Sequence, residues 1–321
     1  MNQNYQQIIE KLEVGKVKFD EPMAGHTTFK IGGPADLFVE VENEEELVGV
    51  LRVVRPTFAK ATAGKDVGVP YFILGGGSNI LVGDKGFKGL IIKVQSVKFK
   101  VQSDSLKTLL RGISAKYKVL VDAGVNMSNL INECLNNSLT GLEFMAGIPG
   151  TVGGSIRGNA GAWQNGISES VGRVKVLTED NKVKWVDKEE CQFSYRDSRF
   201  KHNKEIILAA ELILEKGDSE QITRLIEENL KKREEQPKEP SAGCVFVNPK
   251  PLSAGKLIEE CGLKGTRIGN AQISEKHANF VINLGGATAK DVVSLISLTK
   301  AKVKEKFNID LKEEIVRIGE F

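Results

Sequence analysis

Residues 71–84 read YFILGGGSNILVGD. An apolar run of strand length enters three consecutive glycines, Ser78 and Asn79 follow at the turn, and ILV again has strand composition. Bare backbone amides at such a turn can form a nest for an anion, to which the Ser78 and Asn79 side chains would add donors. The stretch is not a P-loop, because no G-K-[ST] follows the glycines. Nor is it a Rossmann fingerprint, because Ile80 takes the last glycine position and a strand-like segment follows where a helix is required. Standing alone, it would serve equally well as a plain glycine turn between two strands.

A second segment repeats the pattern. Residues 147–163 read GIPGTVGGSIRGNAGAW, with glycines at 150, 153, 154, 158 and 161, and a third bunch, IGGP, lies at 31–34. Bunched glycine implies tight turns or backbone pressed against a ligand. Two such loops can clamp one elongated cofactor, with Thr151 and Asn159 supplying hydrogen bonds. This suits a diphosphate joined to a flat ring better than a compact metabolite, and points to a dinucleotide or flavin site.

Around these loops the chain reads as three units, an α/β unit, an α+β unit and a closing α/β unit. A short helix candidate opens the first, followed by a strand at 36–41, a helix at 44–55 begun by a capping-box pair, Asn43 and Glu46, and the strand at 71–74. Residues 56–68 have no periodicity and read as a surface insertion. Strand-length β-rich runs at 90–93, 119–121, 174–177, 183–186 and 206–214, with a helix near 128–136, make a second unit. Within it, 95–118 carries six cations with few aromatics and reads as a solvated hairpin rather than a phosphate-binding face. A helix at 219–235, with Ile222, Leu225, Ile226 and Leu230 on one face, marks a domain boundary. Helices at 254–261 and 289–307 and strands at 280–283 and 315–318 form a closing third unit.

Composition narrows the function. The 321 residues are 40% hydrophobic and 27% charged, enough for a sizeable core in more than one domain. Lys plus Arg minus Asp plus Glu is 45 − 42 = +3, no strong field for nucleic acid. No run approaches the roughly 18 apolar residues of a membrane span, and the first residues lack a signal-peptide layout, so a cytoplasmic protein without membrane insertion is expected. Cys134, Cys191, Cys244 and Cys261, and His26, His202 and His277, are scattered, suggesting neither a disulfide framework nor a metal site.

The blocks HTTFKIGGPAD, ILGGGSN, GLEFMAGIPGTVGG, NAGAW, YRDSRFK, QPKEPSAGCVFVNP, AGKLIEECGLKG and KHANFVIN occur in this order and together resemble the UDP-N-acetylenolpyruvoylglucosamine reductase family over most of the chain after about residue 25. The resemblance implies an α+β fold: a two-lobed FAD-binding unit of the vanillyl-alcohol-oxidase (PCMH) type at 20–216, with lobes at about 20–93 and 94–216, then an α/β substrate-binding domain at 217–321. It implies noncovalent FAD held by Thr28, Gly75, Gly76, Gly77, Ser78, Asn79, Pro149, Gly150, Thr151, Gly153, Gly154, Asn159, Gly161 and Ala162. Tyr195, Asn248, Lys264 and His277 match the positions that contact the UDP-sugar. From the residues alone, His277 reads more readily as a solvent-facing or strand-capping histidine, and Lys264 at least as readily as a solvated lysine.

The implied reaction turns the enolpyruvyl ether of UDP-N-acetylglucosamine into the lactyl ether of UDP-N-acetylmuramate in peptidoglycan precursor synthesis, in a monomeric enzyme. NADPH reduces FAD, and hydride then passes to the terminal carbon of the sugar's enolpyruvyl group. Charge builds toward the carboxylate, so the site needs a cation there and an acid for the carbon bearing the ether oxygen. Arg196 matches the family's catalytic arginine, and its planar fork suits an enediolate. Glu314 matches the catalytic glutamate, with Glu313 as a competing neighbour. Cys244 stands where the family has its proton-donating serine. A thiol, with pKa about 8.5, gives up a proton more readily than a hydroxyl, so donation by Cys244 is expected. Val247 and Val316 replace a lysine and an arginine common in the family, and Arg317 should face the other side of its strand. Two alternatives stand beside this reading: an FAD-linked alcohol oxidase of the same superfamily, and a non-catalytic FAD or UDP-sugar binder.

Overall fold

The computed structural model describes residues 17–55, 69–103 and 116–321. The expected N-terminal helix, the insertion at 56–68 and the middle of the 95–118 segment lie outside them. By backbone proximity the chain divides into two compact units. One contains Val39–Gly75 and Ile92–Arg233; the other contains Lys18–Phe38, Gly76–Ile91 and Glu234–Phe321. The division passes through two strands, β2 (Pro34–Val41) and β5 (Phe87–Val94). Among the described residues no helix is long and apolar enough to cross a membrane.

In the first unit, α1 (Glu44–Val54) begins where the sequence spacing places it. Asn43 Oδ1 accepts from the Glu46 N–H at 2.9 Å, and the Glu46 carboxylate accepts from the Glu42 N–H at 2.9 Å. Three glutamates in its first turn complement the helix dipole. The strands β6 (Phe99–Ser103), β7 (Lys116–Asp122), β8 (Leu139–Thr140), β9 (Val171–Leu177), β10 (Val183–Asp187) and β11 (Ile206–Lys216) form one sheet of order β10-β9-β11-β7-β6, with β8 also paired to β11. β11 is central and buried from Ile206 to Leu212, which explains its predominantly apolar run. Its one acidic interior residue, Glu211, is compensated across the strands by Arg173 at 3.0 Å and Lys118 at 3.8 Å. The 95–118 segment has the strands of a hairpin: β6 and β7 pair antiparallel from Phe99↔Val121 to Ser103↔Tyr117.

Helix α2 (Met127–Asn136) follows an Asn126 cap, and its apolar stripe enters the core that surrounds Val119, Val121 and Val174. Two readings require correction. The 147–163 segment is not loop throughout, since a helix, α3 (Val152–Gly158), lies within it. Helix α4 spans Ser219–Arg233, and its expected apolar face holds at Ile222 and Ile226 but not at its end: Leu230 is 45% exposed while Asn229 is buried. The Asn229 amide donates to the Leu225 carbonyl at 2.8 Å, so it can be buried with a bond made.

In the second unit, β12 (Ser241–Cys244), β13 (Arg267–Ile268), β14 (Ala271–Ile273) and β15 (Phe280–Asn283) form a sheet of order β12-β15-β14-β13. Helices α5 (Ala254–Glu260) and α6 (Ala289–Phe307) contribute Leu257, Ile258, Val292, Leu295 and Ile296 to a core shared with Phe29, Ile31 and Leu81. A capping box of Thr288 and Asp291 starts α6, and Asp84 adds bonds to the Ala289 and Lys290 N–H groups at 2.7 and 3.0 Å. The last strand, β16 (Val316–Ile318), pairs parallel with β4 (Ile80–Val82).

Candidate active site

The glycine loops are crowded by the protein itself. In the first unit, a Cβ on Gly75 would strike Thr151 Oγ1, one on Gly153 would lie 2.8 Å from the Ala123 Cβ, and one on Gly161 would strike the Asn165 carbonyl. Gly75 and Thr151 therefore bring the two glycine loops into contact. Gly154 and Gly158 differ: a Cβ on the first would meet only Thr151 Oγ1 at 3.6 Å, and on the second nothing within 4 Å. Internal packing thus accounts for Gly75, Gly153 and Gly161, while Gly154 and Gly158 leave open room. Because Gly75 has no slack, Gly75→Ala is expected to lower stability by about 1–3 kcal/mol, the usual overpacking cost. Thr151→Ala in the same chain should recover part of it, since Thr151 makes no side-chain cap bond to α3. Thermal melting reads both, and a wild-type melting temperature for Gly75→Ala would contradict the close approach.

Asn159 ends α3 in the left-handed region at φ 43°. Its Nδ2 donates to the Ser194 carbonyl at 2.8 Å and its Oδ1 accepts from the Ser168 N–H at 3.2 Å. The side chain expected to hold FAD therefore also fixes the next element, a tight turn in which Ser194 and Asp197 exchange backbone bonds at 3.0 and 3.2 Å. Tyr195 and Arg196 form its tip. Arg196 sits at φ 58°, and its Nη2 donates to the Gly161 carbonyl at 2.7 Å. Its guanidinium carbon lies 5.3 Å from the Tyr195 ring centroid. The Asp197 carboxylate lies on His202 Nε2 at 2.9 Å; burial would raise its pKa, but that hydrogen bond, the His202 and Lys201 charges and the Ser198 N–H together outweigh it and hold the group below its ordinary range. Pro149, Gly150 and Ala162 supply loop backbone: the Gly150 carbonyl accepts from Met127 at 3.0 Å and that of Ala162 from Asn165 at 3.0 Å.

The second unit holds the other predicted residues. Gly77 is left-handed at φ 63°, and a Cβ there would strike the His26 carbonyl. The Thr28 N–H donates to the Gly77 carbonyl at 3.1 Å and its hydroxyl to the Ser241 carbonyl at 2.7 Å. Asn79 Nδ2 donates to the Glu314 carbonyl at 3.1 Å, while the Glu314 N–H donates to the Val245 carbonyl at 2.7 Å. Glu314 is thereby held by its backbone between the glycine turn and the residue after Cys244. Strand β12 reaches Cys244 through a bulge: Ser241 pairs with Ile282 and Cys244 with Phe280, three steps against two, with Gly243 at φ 74°. Such a bulge re-aims the side chain that follows it. Glu313 is settled elsewhere. Its carboxylate takes Arg317 in a two-point pair at 2.7 and 2.8 Å, and Lys300 as well.

Of the expected sugar contacts, Asn248, Lys264 and His277 lie around α5. Asn248 Oδ1 accepts from the Ala254 N–H at 2.9 Å, and Lys264 Nζ donates to Glu259 at 2.8 Å. His277 Nδ1 accepts from the Asn279 N–H at 3.2 Å, which leaves the proton of the neutral ring on Nε2. Burial pushes this imidazole below its ordinary pKa and the Lys264 charge adds to the effect. His277 therefore offers a neutral N–H donor.

Residues 35–187 match an FAD binding domain, and residues 236–318 match the C-terminal domain of UDP-N-acetylenolpyruvoylglucosamine reductase. The chain is 41% identical over 97% of its length to the UDP-N-acetylenolpyruvoylglucosamine reductase of Caldanaerobacter subterraneus subsp. tengcongensis, covering 96% of that protein. It is 39% identical over its whole length to that of Clostridium novyi, covering 97% of it. The crystal structure of the Thermus caldophilus reductase superposes with a TM-score of 0.73 at 34% identity, over 95% of this chain and 98% of that one. This chain belongs to the UDP-N-acetylenolpyruvoylglucosamine reductase family.

Its α+β fold, an FAD-binding domain followed by the reductase C-terminal domain, is the one that the motif blocks imply. The departures at Val247 and Val316 fall on the backbone that frames Glu314: the Val247 N–H donates to the Lys312 carbonyl and the Val316 N–H to the Asn79 carbonyl, both at 2.9 Å. The residue that sequence reasoning missed here is Asn279. Buried at 2% exposure, its amide bonds both the N–H and the carbonyl of Phe246, at 2.9 and 2.8 Å, steadying the strand beyond Cys244. It lies inside the KHANFVIN block, but nothing in the spacing distinguishes it from His277 beside it.

Proposed function

We infer that the protein is an FAD-dependent oxidoreductase that reduces UDP-N-acetylglucosamine enolpyruvate to UDP-N-acetylmuramate with NADPH. The observation that carries this reading is the match of one continuous chain to both the FAD-binding domain and the reductase C-terminal domain. The open room at Gly154 and Gly158, beside a contact that joins the two glycine loops, fits a cofactor held by backbone. FAD, when bound, supplies the two-electron carrier between NADPH and the sugar. Residues 75–79 and 147–163 contain neither His nor Cys, so no covalent tether is available there and the oxidase alternative is not favoured.

The chain's own residues divide the remaining work. Arg196, aimed by its bond to the Gly161 carbonyl, presents its guanidinium charge to the substrate carboxylate as charge develops on it. Glu314, fixed by its backbone, polarises the same group. Cys244 donates its thiol proton to the carbon that bears the ether oxygen. Tyr195, Asn248, Lys264 and the His277 N–H orient the UDP-sugar. Residues 20–216 serve as the FAD-binding domain and 217–321 as the substrate-binding domain. The reaction belongs to peptidoglycan precursor synthesis, and so to cell-wall biogenesis, cell shape and division, in a cytoplasmic monomer.

The test is direct. Purified protein should be yellow, lose its flavin absorbance to NADPH without oxygen, and regain it when the enolpyruvyl sugar is added. Acid precipitation should release the flavin. Flavin that remains with the precipitate would count against noncovalent binding, and reduced flavin that the sugar fails to reoxidise would defeat the reaction itself.

A further inference from the structure

Arg196 stands at the tip of its turn against its own backbone preference. The Asp197 N–H donates to the Ser194 carbonyl at 3.2 Å and the Ser194 N–H to the Asp197 carbonyl at 3.0 Å, so Arg196 fills the third place of a four-residue turn. With φ at 58°, that place ordinarily takes Gly or Asn, because a side chain there crowds the backbone. Neither of the two turn bonds uses the Arg196 carbonyl. Lys201 Nζ donates to it at 2.5 Å, an ammonium on a backbone oxygen in partly buried surroundings.

Lys201 comes from a firm support. It ends a single 3₁₀ turn, Arg199–Lys201, in which its own N–H donates to the Ser198 carbonyl at 3.0 Å. Ser198 is buried with its hydroxyl on the Arg157 carbonyl at 2.7 Å, and Phe200 is buried in the core of the first unit. Arg199 grips the Glu205 carboxylate through Nε at 3.1 Å and Nη2 at 2.8 Å. At the far end of Arg196, the guanidinium meets the carbonyl of Gly161, a residue with no room for a side chain. Arg196 is therefore held at both ends, by a carbonyl at the tip of its side chain and by an ammonium at its backbone. Strained backbone persists where its neighbours over-determine it, and turning the peptide that carries the Arg196 carbonyl would break the Lys201 bond.

We propose that Lys201 is a positioning residue for reduction of the sugar, holding Arg196 by its carbonyl in the turn geometry that presents the guanidinium to the substrate carboxylate. The inference rests on the reading of Arg196 given above. Because Lys201 acts through Arg196, its loss is felt where Arg196 acts, as charge develops on the sugar.

The test uses the flavin-loaded enzyme, NADPH and the enolpyruvyl sugar, with each half-reaction followed separately by flavin absorbance. Lys201→Met keeps the apolar stem and removes the ammonium. Its limiting rate of reoxidation by the sugar should fall about ten- to a hundredfold, the loss for one charged hydrogen bond, while the half-saturating sugar concentration changes much less. Reduction by NADPH should stay near that of the wild type. Lys201→Arg, which keeps a cationic donor, should recover part of the loss. In an Arg196→Ala background, Lys201→Met should add little, because the guanidinium it positions is already gone. Effects that multiply in the double variant, equal damage to both half-reactions, or wild-type reoxidation in Lys201→Met would each overturn the proposal. If Lys201→Met does not fold or load flavin, Lys201→Gln is judged by the same criteria. A wild type whose reduced flavin the sugar fails to reoxidise defeats the functional reading together with this inference; a competent wild type with unaffected Lys201 variants defeats only the inference.

Discussion

Cys244→Ala is expected to slow reoxidation of the reduced enzyme by the enolpyruvyl sugar by roughly 10²- to 10⁴-fold, the range for loss of a positioned general acid. Reduction by NADPH should change little, because no carbon is protonated in that step. The expectation rests on the bulge at Gly243, which determines how Cys244 is presented, and on the backbone bond that sets Glu314 against Val245, the next residue. Cys244→Ser should keep more activity than Cys244→Ala. A hydroxyl holds its proton well above the range of a thiol, so any alkaline loss of activity in the wild type should move to higher pH in the serine variant. Thiol alkylation should inactivate the enzyme, and bound sugar should protect it. Wild-type reoxidation in Cys244→Ala would make solvent the proton source.

Arg196→Ala should lower the same half-reaction by about 10²- to 10³-fold, the scale for removing one preorganised donor from a developing anion. Flavin reduction again serves as the internal control, since the charge that Arg196 is proposed to stabilise belongs to the sugar. Glu314→Gln should act in the same direction. Glu313→Gln should instead be chiefly a stability variant, because its carboxylate is committed to Arg317 and Lys300. A catalytic defect in Glu313→Gln together with a mild Glu314→Gln would reverse the two roles. If Arg196→Ala impairs reduction and reoxidation equally, its part is in holding the site together and not in the chemistry.

Elements dominated by local signals were legible in the sequence. The helix Ala289–Phe307 and the strand Phe280–Asn283 have the bounds that their patterns predict, because a Thr288 cap, a long apolar stripe and a β-rich run act within a few residues. The start of Glu44–Val54 follows from Asn43 and Glu46 for the same reason. Where short-range pattern and packing disagreed, packing prevailed. Leu230 continues the apolar face of its helix on paper, yet it is exposed while Asn229 is buried with its amide bonded to Leu225. Glycine density hid the helix Val152–Gly158, since glycine is a poor helix former and this helix depends on tertiary bonds such as that from Gly153 to the Ala123 carbonyl at 2.8 Å.

The residue types of the site, its order of motif blocks and the cysteine at the serine position were decided by sequence alone, because these are properties of composition and local spacing. What each residue does with its partners was not. Asn79 meets Glu314 across 235 positions and Arg233 meets Ala146 across 87, and no local pattern encodes such pairings. Only the packed chain separates glycines that make room for neighbouring backbone from those that leave room, and commits Glu313 to ion pairs beside Glu314. Those outcomes depend on distances between side chains, and in a folded protein such distances are set by how the elements pack.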